Sequence, residues 1–154
     1  MSKSCIALIP VLLAFTFLLP QAKTSCVASV DDLILAVWGF DTTKAVALID
    51  GSVDVNMKDA KGTYPLMLAC SYKDNDEMIE LLLSKGANPN IHGPNGEIPL
   101  GLAAKHSLKT VQMLVDKSAD VNAKYEGGFS ALRWAMEMEQ LEVIKYLKDK
   151  GAKE

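Results

Sequence analysis

Hydrophobic positions in the last four fifths of the chain recur with a period near 33 residues. Pairs of short apolar segments alternate with polar stretches; the first segment of each pair is rich in small residues and the second is more apolar. This spacing predicts pairs of short helices repeated along the chain. The markers of the period are Val55-Asn56, Pro89-Asn90 and Val121-Asn122, spaced by 34 and 32 residues.

Several further motifs keep the same phase. A turn of the form Gly62-Thr63-Tyr64-Pro65-Leu66 returns as Gly96-Glu97-Ile98-Pro99-Leu100 and Gly128-Phe129-Ser130-Ala131-Leu132. This combination resembles the ankyrin repeat, a unit of about 33 residues made of a β-turn and two helices. The resemblance implies an all-α ankyrin-repeat solenoid of stacked helix-turn-helix units with hairpin-like loops. The domain would span 29–154, with repeats at about 31–58, 59–92, 93–124 and 125–154, the first of them degenerate.

Local residue types agree with such units. Pro65 and Pro99 suit the first turn of a helix, where a missing N–H costs nothing. Gly86 and Gly151 suit the left-handed residue that ends a helix. Ser118 replaces this glycine in the third repeat, which we expect to cost about 1 kcal/mol.

Some positions depart from the family pattern. The threonine and the histidine of the family's turn are replaced in all three well-matched units, so the usual hydrogen-bond link between turns is expected to be missing. Ser130 can still cap a helix with its hydroxyl. The second unit carries one extra residue around 71–74 and the third lacks one near Ser107, which predicts irregular turns between paired helices.

Charge argues against nucleic acid as a partner. The chain has 16 basic and 19 acidic side chains, a net charge of -3, and therefore no excess of cations to neutralise phosphates. Three cysteines are also too few for a disulfide scaffold.

The first residues are typical of an export signal. A 14-residue run, Ile6–Leu19, follows Lys3 and is short for a membrane span. We expect a signal peptide over 1–28, cut between 22 and 28 and preferably after Ala28, and hence a periplasmic or secreted protein. A retained anchor is one alternative. Another is a lipoprotein acylated on Cys26, although Lys23 does not fit that motif; contact with a membrane is expected only in these two cases.

The sequence contains no recognisable catalytic or metal-binding constellation. His92 and His106 lack the spacing of a zinc site, and residues 93–97 indicate a hairpin tip because no Gly-Lys-Ser/Thr follows. Asp74 and its acidic neighbours are better explained as a solvated turn than as a calcium loop, and Cys70 as a core thiol than as a nucleophile. We therefore predict no enzyme activity, no metal, no cofactor and no small-molecule substrate.

The resemblance implies that an unknown protein partner docks on the concave side of the stack. Trp38, Tyr72, His106 and Met138 are expected to form a ladder of large side chains there, and Trp134 to lie in the core. Alternatively, Trp38 packs under the N-terminal segment and Tyr72 only covers the inserted turn. We predict a non-catalytic protein-protein interaction module acting outside the cytosol, or else a lipid-anchored structural component of a bacterial envelope. Carried over by position, the candidate contacts are Trp38, Lys61, Thr63, Tyr72, Asn95, Glu97, Lys105, His106, Glu126, Phe129 and Met138.

Overall fold

The structure is a computed structural model that describes residues 28–125 and 127–153. Within these residues the chain forms eight helices joined by short loops. The predicted signal peptide, Cys26 and Glu126 lie outside the described residues, apart from Ala28 at the end of the signal. The helices are α1 Val30–Trp38, α2 Thr42–Asp50, α3 Pro65–Cys70, α4 Asp76–Ser84, α5 Pro99–Ala103, α6 Leu108–Asp116, α7 Ala131–Glu137 and α8 Leu141–Asp149.

The eight helices form four pairs arranged in two layers. The odd-numbered helices stack on one another as an inner layer, and the even-numbered helices follow them as an outer layer. The two helices of each pair also pack against each other, and each repeat contacts the next one along the chain. The predicted all-α solenoid of helix pairs is confirmed.

Tight hairpin loops precede the second, third and fourth pairs. In each loop a backbone N–H donates to the carbonyl four residues later, at 3.0 Å from Asp59 to Thr63 and at 2.8 Å from Gly93 to Glu97. Tyr125 and Phe129 repeat this bond at 2.8 Å. Residues 93–97 are therefore a hairpin tip, as their sequence predicts.

One hydrophobic core runs through all four repeats. Leu33, Leu66, Leu100 and Leu132, one from each inner helix, are fully or almost fully buried. Cys70 lies in this core with no exposed surface, and burial raises the pKa of its thiol, so the thiolate is disfavoured. The core is continuous because no single helix pair can cover its own apolar face.

The starts of the inner helices follow the sequence pattern. Pro65 and Pro99 occupy the first helical turn, and neither Tyr64 nor Ile98 before them provides a side-chain cap. Ser130 does cap α7, because its hydroxyl accepts a hydrogen bond from the backbone N–H of Arg133 at 3.2 Å. The threonine-type link is therefore absent from the second and third repeats.

A different side chain links the repeats. Asn90 donates to the carbonyl of Ser118 at 3.0 Å and accepts from the backbone N–H of Asp120 at 2.8 Å. Asn56 bridges the first and second repeats in the same way, and Asn122 reaches Gly151 and Lys153 within the fourth. The asparagines that mark the period in the sequence thus fasten successive loops to one another.

Left-handed residues end the outer helices. Gly86 and Gly151 have φ of 88° and 85°, and Ser118 takes the same conformation with φ of 67°. A left-handed conformation strains a residue that carries a Cβ, whereas glycine adopts it freely. Ser118 therefore stores the backbone strain that the sequence predicts.

We expect Ser118→Gly to raise the free energy of unfolding by about 1 kcal/mol, because it removes this strain. Urea unfolding followed by circular dichroism measures the change. The matched control is Ser84→Gly at the last residue of α4, where glycine is expected to lower stability by up to about 1 kcal/mol. Equal effects of the two substitutions would contradict the conformational explanation.

Candidate partner-binding groove

A cleft lies between the hairpin tips and inner helices of the second and third repeats. Its volume is about 240 Å³. Thr63, Asn95 and Glu97, all predicted contact residues, line this cleft together with Ser71 at the end of α3. The remaining lining is apolar, from Met67, Leu68, Pro94 and Leu102.

Local geometry explains how this cleft is held in shape. Asp59 ties down its hairpin, since Oδ1 accepts from the backbone N–H groups of Lys61 and Thr63 at 2.9 and 2.8 Å. The Ser71 hydroxyl donates to the Met67 carbonyl at 2.9 Å. A Cβ added to Gly93 would lie 2.7 Å from the Met67 methyl carbon and 2.9 Å from a Glu97 carboxylate oxygen, so a larger residue there requires these two side chains to move. Lys61 is exposed at the tip of the same hairpin that carries Thr63.

An aromatic cluster continues this surface toward the last repeat. Trp134, expected in the core, is only half-buried, with ring centroids 5.8 Å from Tyr125 and 5.5 Å from Phe129. The Lys105 Nζ atom lies 4.0 Å from the Trp134 ring centroid, a cation–π distance. The structure thus brings Lys105 and Phe129 together around a tryptophan that the sequence did not assign to the surface.

Tyr125 connects this cluster electrostatically to the cleft. Desolvation by burial raises the pKa of its hydroxyl, and the negative charge of Glu97 raises it further. Tyr125 therefore stays neutral near Glu97 on the cleft rim, and its ring lies beside Trp134 in the cluster.

Two predicted aromatic residues stand at the other end of the stack. Trp38 is 62% exposed, so the described residues cover only the smaller part of its surface, and Tyr72 is 37% exposed. Tyr72 meets the ring of Phe40 edge to face at 5.9 Å. Phe40 was missed by the sequence analysis, and its left-handed backbone, with φ of 56°, turns a half-exposed ring toward Tyr72.

His106 departs from the expected ladder of exposed side chains. It is half-buried, and its Nε2 atom lies 3.1 Å from the carbonyl oxygen of Cys70. Its Nδ1 atom is buried without a hydrogen-bond partner. Met138 is exposed at the end of α7, but His106 fills the space between repeats instead of continuing the row from Tyr72.

Within residues 28–125 and 127–153, no group of three or more His, Cys, Asp or Glu side chains could hold a metal ion. Asp76, from the acidic turn, is already engaged: Oδ1 accepts from the Thr110 hydroxyl at 3.0 Å and Oδ2 lies 3.2 Å from the Lys109 ammonium. The described helices also include none with the length and apolarity needed to cross a membrane.

Comparison with known proteins gives one consistent match. The family model for ankyrin repeats in three copies matches residues 33–125 and 72–154. Similar proteins include an ankyrin repeat protein of Acanthamoeba polyphaga mimivirus, 32% identical over 64% of this chain. Transient receptor potential cation channel subfamily A member 1 of Homo sapiens is 35% identical over 68% of the chain, and neurogenic locus notch homolog protein 1 of Mus musculus is 31% identical over 70%. The aligned parts cover only 13%, 10% and 4% of these three relatives.

Proposed function

Because the chain belongs to the ankyrin-repeat family, whose members generally mediate protein-protein interactions, we propose that it binds a protein partner through its concave groove and acts without catalysis. The groove is defined by the cleft of Thr63, Ser71, Asn95 and Glu97 and by the aromatic cluster beside it. The partner protein is the only ligand in this proposal, which includes no nucleic acid, small-molecule substrate or cofactor.

The observation that carries this proposal is the composition of the cleft. Three residues assigned by repeat position alone, Thr63, Asn95 and Glu97, line this cleft, and Met67, Leu68 and Leu102 supply its apolar part. An apolar centre within a polar rim is the usual anatomy of a protein interface. Exposed aromatic side chains such as Trp38 and Tyr72 at one end are the residue types most often found as binding hot spots.

The groove is tested by blocking it with one side chain. We expect Thr63→Arg to weaken binding of the co-purified partner about tenfold, because an arginine at this rim position fills the cleft and excludes the partner. Isothermal titration calorimetry on purified components measures the affinity.

The matched control is the same substitution on the outer layer. Thr43 is exposed at the start of α2, so Thr43→Arg adds the same charge away from the groove and is expected to leave the affinity unchanged. A partner that binds both variants as well as the unsubstituted chain, or that loses affinity only with Thr43→Arg, contradicts the groove proposal.

We also propose that the protein acts outside the cytosol, in a periplasm or as a secreted protein. The apolar run Ile6–Leu19 supports this proposal. A cut after Ala28 would retain Ser29, whose backbone N–H donates to the Asp32 carboxylate at 2.9 Å and whose hydroxyl caps α1. The bond from the Ser29 backbone N–H lowers the pKa of Asp32, and so, to a smaller extent, does the Ser29 hydroxyl, which donates to the same carboxylate at 3.1 Å. Cleavage there would turn the Ser29 nitrogen into an ammonium beside an ionised carboxylate, so the first helix would keep its cap after processing.

Mass spectrometry of the mature N terminus tests this second proposal. A chain beginning at Ser29 supports export by a cleaved signal peptide. A chain beginning at an acylated Cys26 would instead support the lipid-anchored alternative, and an intact leader would contradict both.

A further inference from the structure

The last repeat presents surface that the preceding repeats bury. Cys70 and Ala104 have no exposed surface, whereas Met136, at the same position of the fourth repeat, is 40% exposed. Likewise Met67 and Gly101 are buried, whereas Arg133 at their position is exposed.

The direction of this surface follows from the internal contacts. A Cβ built on Gly101 would lie 3.3 Å from the ring of Tyr125 and 3.5 Å from that of Trp134, both in the following repeat. The position of Gly101 and Arg133 therefore faces the next unit along the stack. In the described residues no further unit follows α8.

The outer layer shows the same change. The residues that begin the outer helices of the second and fourth repeats are Asp76 and Leu141. Asp76 bonds to Thr110 and Lys109 of the next repeat, whereas Leu141 is 77% exposed. We name the surface of Phe129, Arg133, Met136 and Leu141 the C-terminal end face. A cleft of about 490 Å³ opens between its inner-layer residues and the glycines of the last hairpin.

The opposite end of the stack carries a complementary surface. Leu35 has the register of Leu102 and Trp134, and Trp134 faces the preceding repeat because it lies against Gly101. Leu102 is buried, but Leu35 is 58% exposed. Asp31 precedes Leu35 by four residues, so the exposed acid and the exposed leucine lie on one side of α1. We name Asp31 and Leu35 the N-terminal end face.

We propose that the C-terminal end face docks the N-terminal end face of a second copy of this chain, continuing the stack from one molecule to the next. Within one chain, Gly101 at the position of Arg133 lies against Trp134, which occupies the position of Leu35 in the next repeat. Stacking in this register would cover Met136 and Leu35 and place the Arg133 guanidinium near the Asp31 carboxylate. Arg133 makes an exposed ion pair with Glu137 at 3.2 Å, which is weak and can exchange, and its guanidinium lies 5.2 Å from the Phe129 ring centroid.

This contact joins two different surfaces, so it does not close into a symmetric dimer. A heterologous contact lets molecules add one after another. The end faces present few residues, and small interfaces are typical of weak complexes, so we expect reversible association at about 0.1–1 mM protein.

Analytical ultracentrifugation of the purified protein tests the proposal, using one variant for each end. Met136→Asp blocks the C-terminal end face and Leu35→Asp blocks the N-terminal end face. Both residues are exposed, so the fold is expected to persist, and circular dichroism verifies it. Each variant alone is expected to sediment as a monomer, because one of the two required faces is missing.

Mixing the two variants distinguishes this contact from other modes of association. Each variant keeps the face that the other has lost, so the mixture is expected to form one-to-one dimers that cannot grow. In the same experiment, Arg133→Glu is expected to weaken self-association at least about tenfold, because it brings two negative charges together at the contact. Asp31→Lys in the partner copy is expected to restore the association, because the charge pair is then reversed. An unsubstituted protein that stays monomeric at about 1 mM, or two variants that fail to associate with each other, overturns the proposal.

Discussion

Leu114→Ala is expected to lower the free energy of unfolding by about 2–5 kcal/mol, the largest effect of any single substitution considered for this chain. Leu114 lies in α6 with no exposed surface, within the core that joins the repeats. Removing its side chain leaves a cavity between helices that are held from both sides. Urea unfolding with an unchanged m-value measures the loss.

The matched control is Leu141→Ala, at the start of the next outer helix. Leu141 is exposed in the single chain, so the same substitution at dilute protein is expected to change stability by less than about 0.5 kcal/mol. Similar losses at the two leucines would contradict the placement of the core.

Asn90→Ala is expected to destabilise the chain by about 1–3 kcal/mol, because it removes two hydrogen bonds that join the second and third repeats. One of these bonds serves the carbonyl of Ser118 and the other the backbone N–H of Asp120. Thermal and urea unfolding both report the change.

The control for this prediction is another exposed asparagine. Asn95 at the hairpin tip makes one long contact, 3.5 Å from Nδ2 to the Glu97 carboxylate, so Asn95→Ala is expected to be nearly neutral. An Asn90→Ala variant as stable as Asn95→Ala would mean that the asparagine links do not hold the loops together.

The sequence predicts the fold because its strongest constraints are local and repeated. Pro65 and Pro99 fix helix starts, Gly86 and Gly151 fix helix ends, and both sets recur in phase with the apolar segments. Local rules of this kind determine each unit, and stacking determines the rest. Even the strained Ser118 follows from its register alone.

Residues whose environment depends on a neighbouring repeat are where sequence reasoning fails. The shortened turn of the third repeat places His106 against the Cys70 carbonyl of the second, which no property of His106 itself signals. Met136 has a core register but no described unit covers it. Phe40 takes the left-handed position of a helix-helix turn, also adopted by Asp74 and Glu139, so the left-handed residue is not the glycine of that turn, Gly39.

The groove contains both residues that the sequence predicts and residues that it does not. Register alone identifies its polar rim, because Thr63, Asn95 and Glu97 occupy recurring hairpin positions. Its apolar floor has no separate signal, since Met67 and Leu102 have the sequence character of core residues. The role of Trp134 as an aromatic platform beneath Lys105 likewise depends on distances between repeats.

Position-specific cross-linking to the partner tests most directly whether the concave groove is the docking surface. A photo-reactive amino acid at Asn95 lies on the groove rim, and one at Glu80 lies exposed on the outer helix α4. We expect a covalent adduct with the partner from position 95 and none from position 80. An adduct formed from position 80 and not from position 95 would contradict docking in the groove.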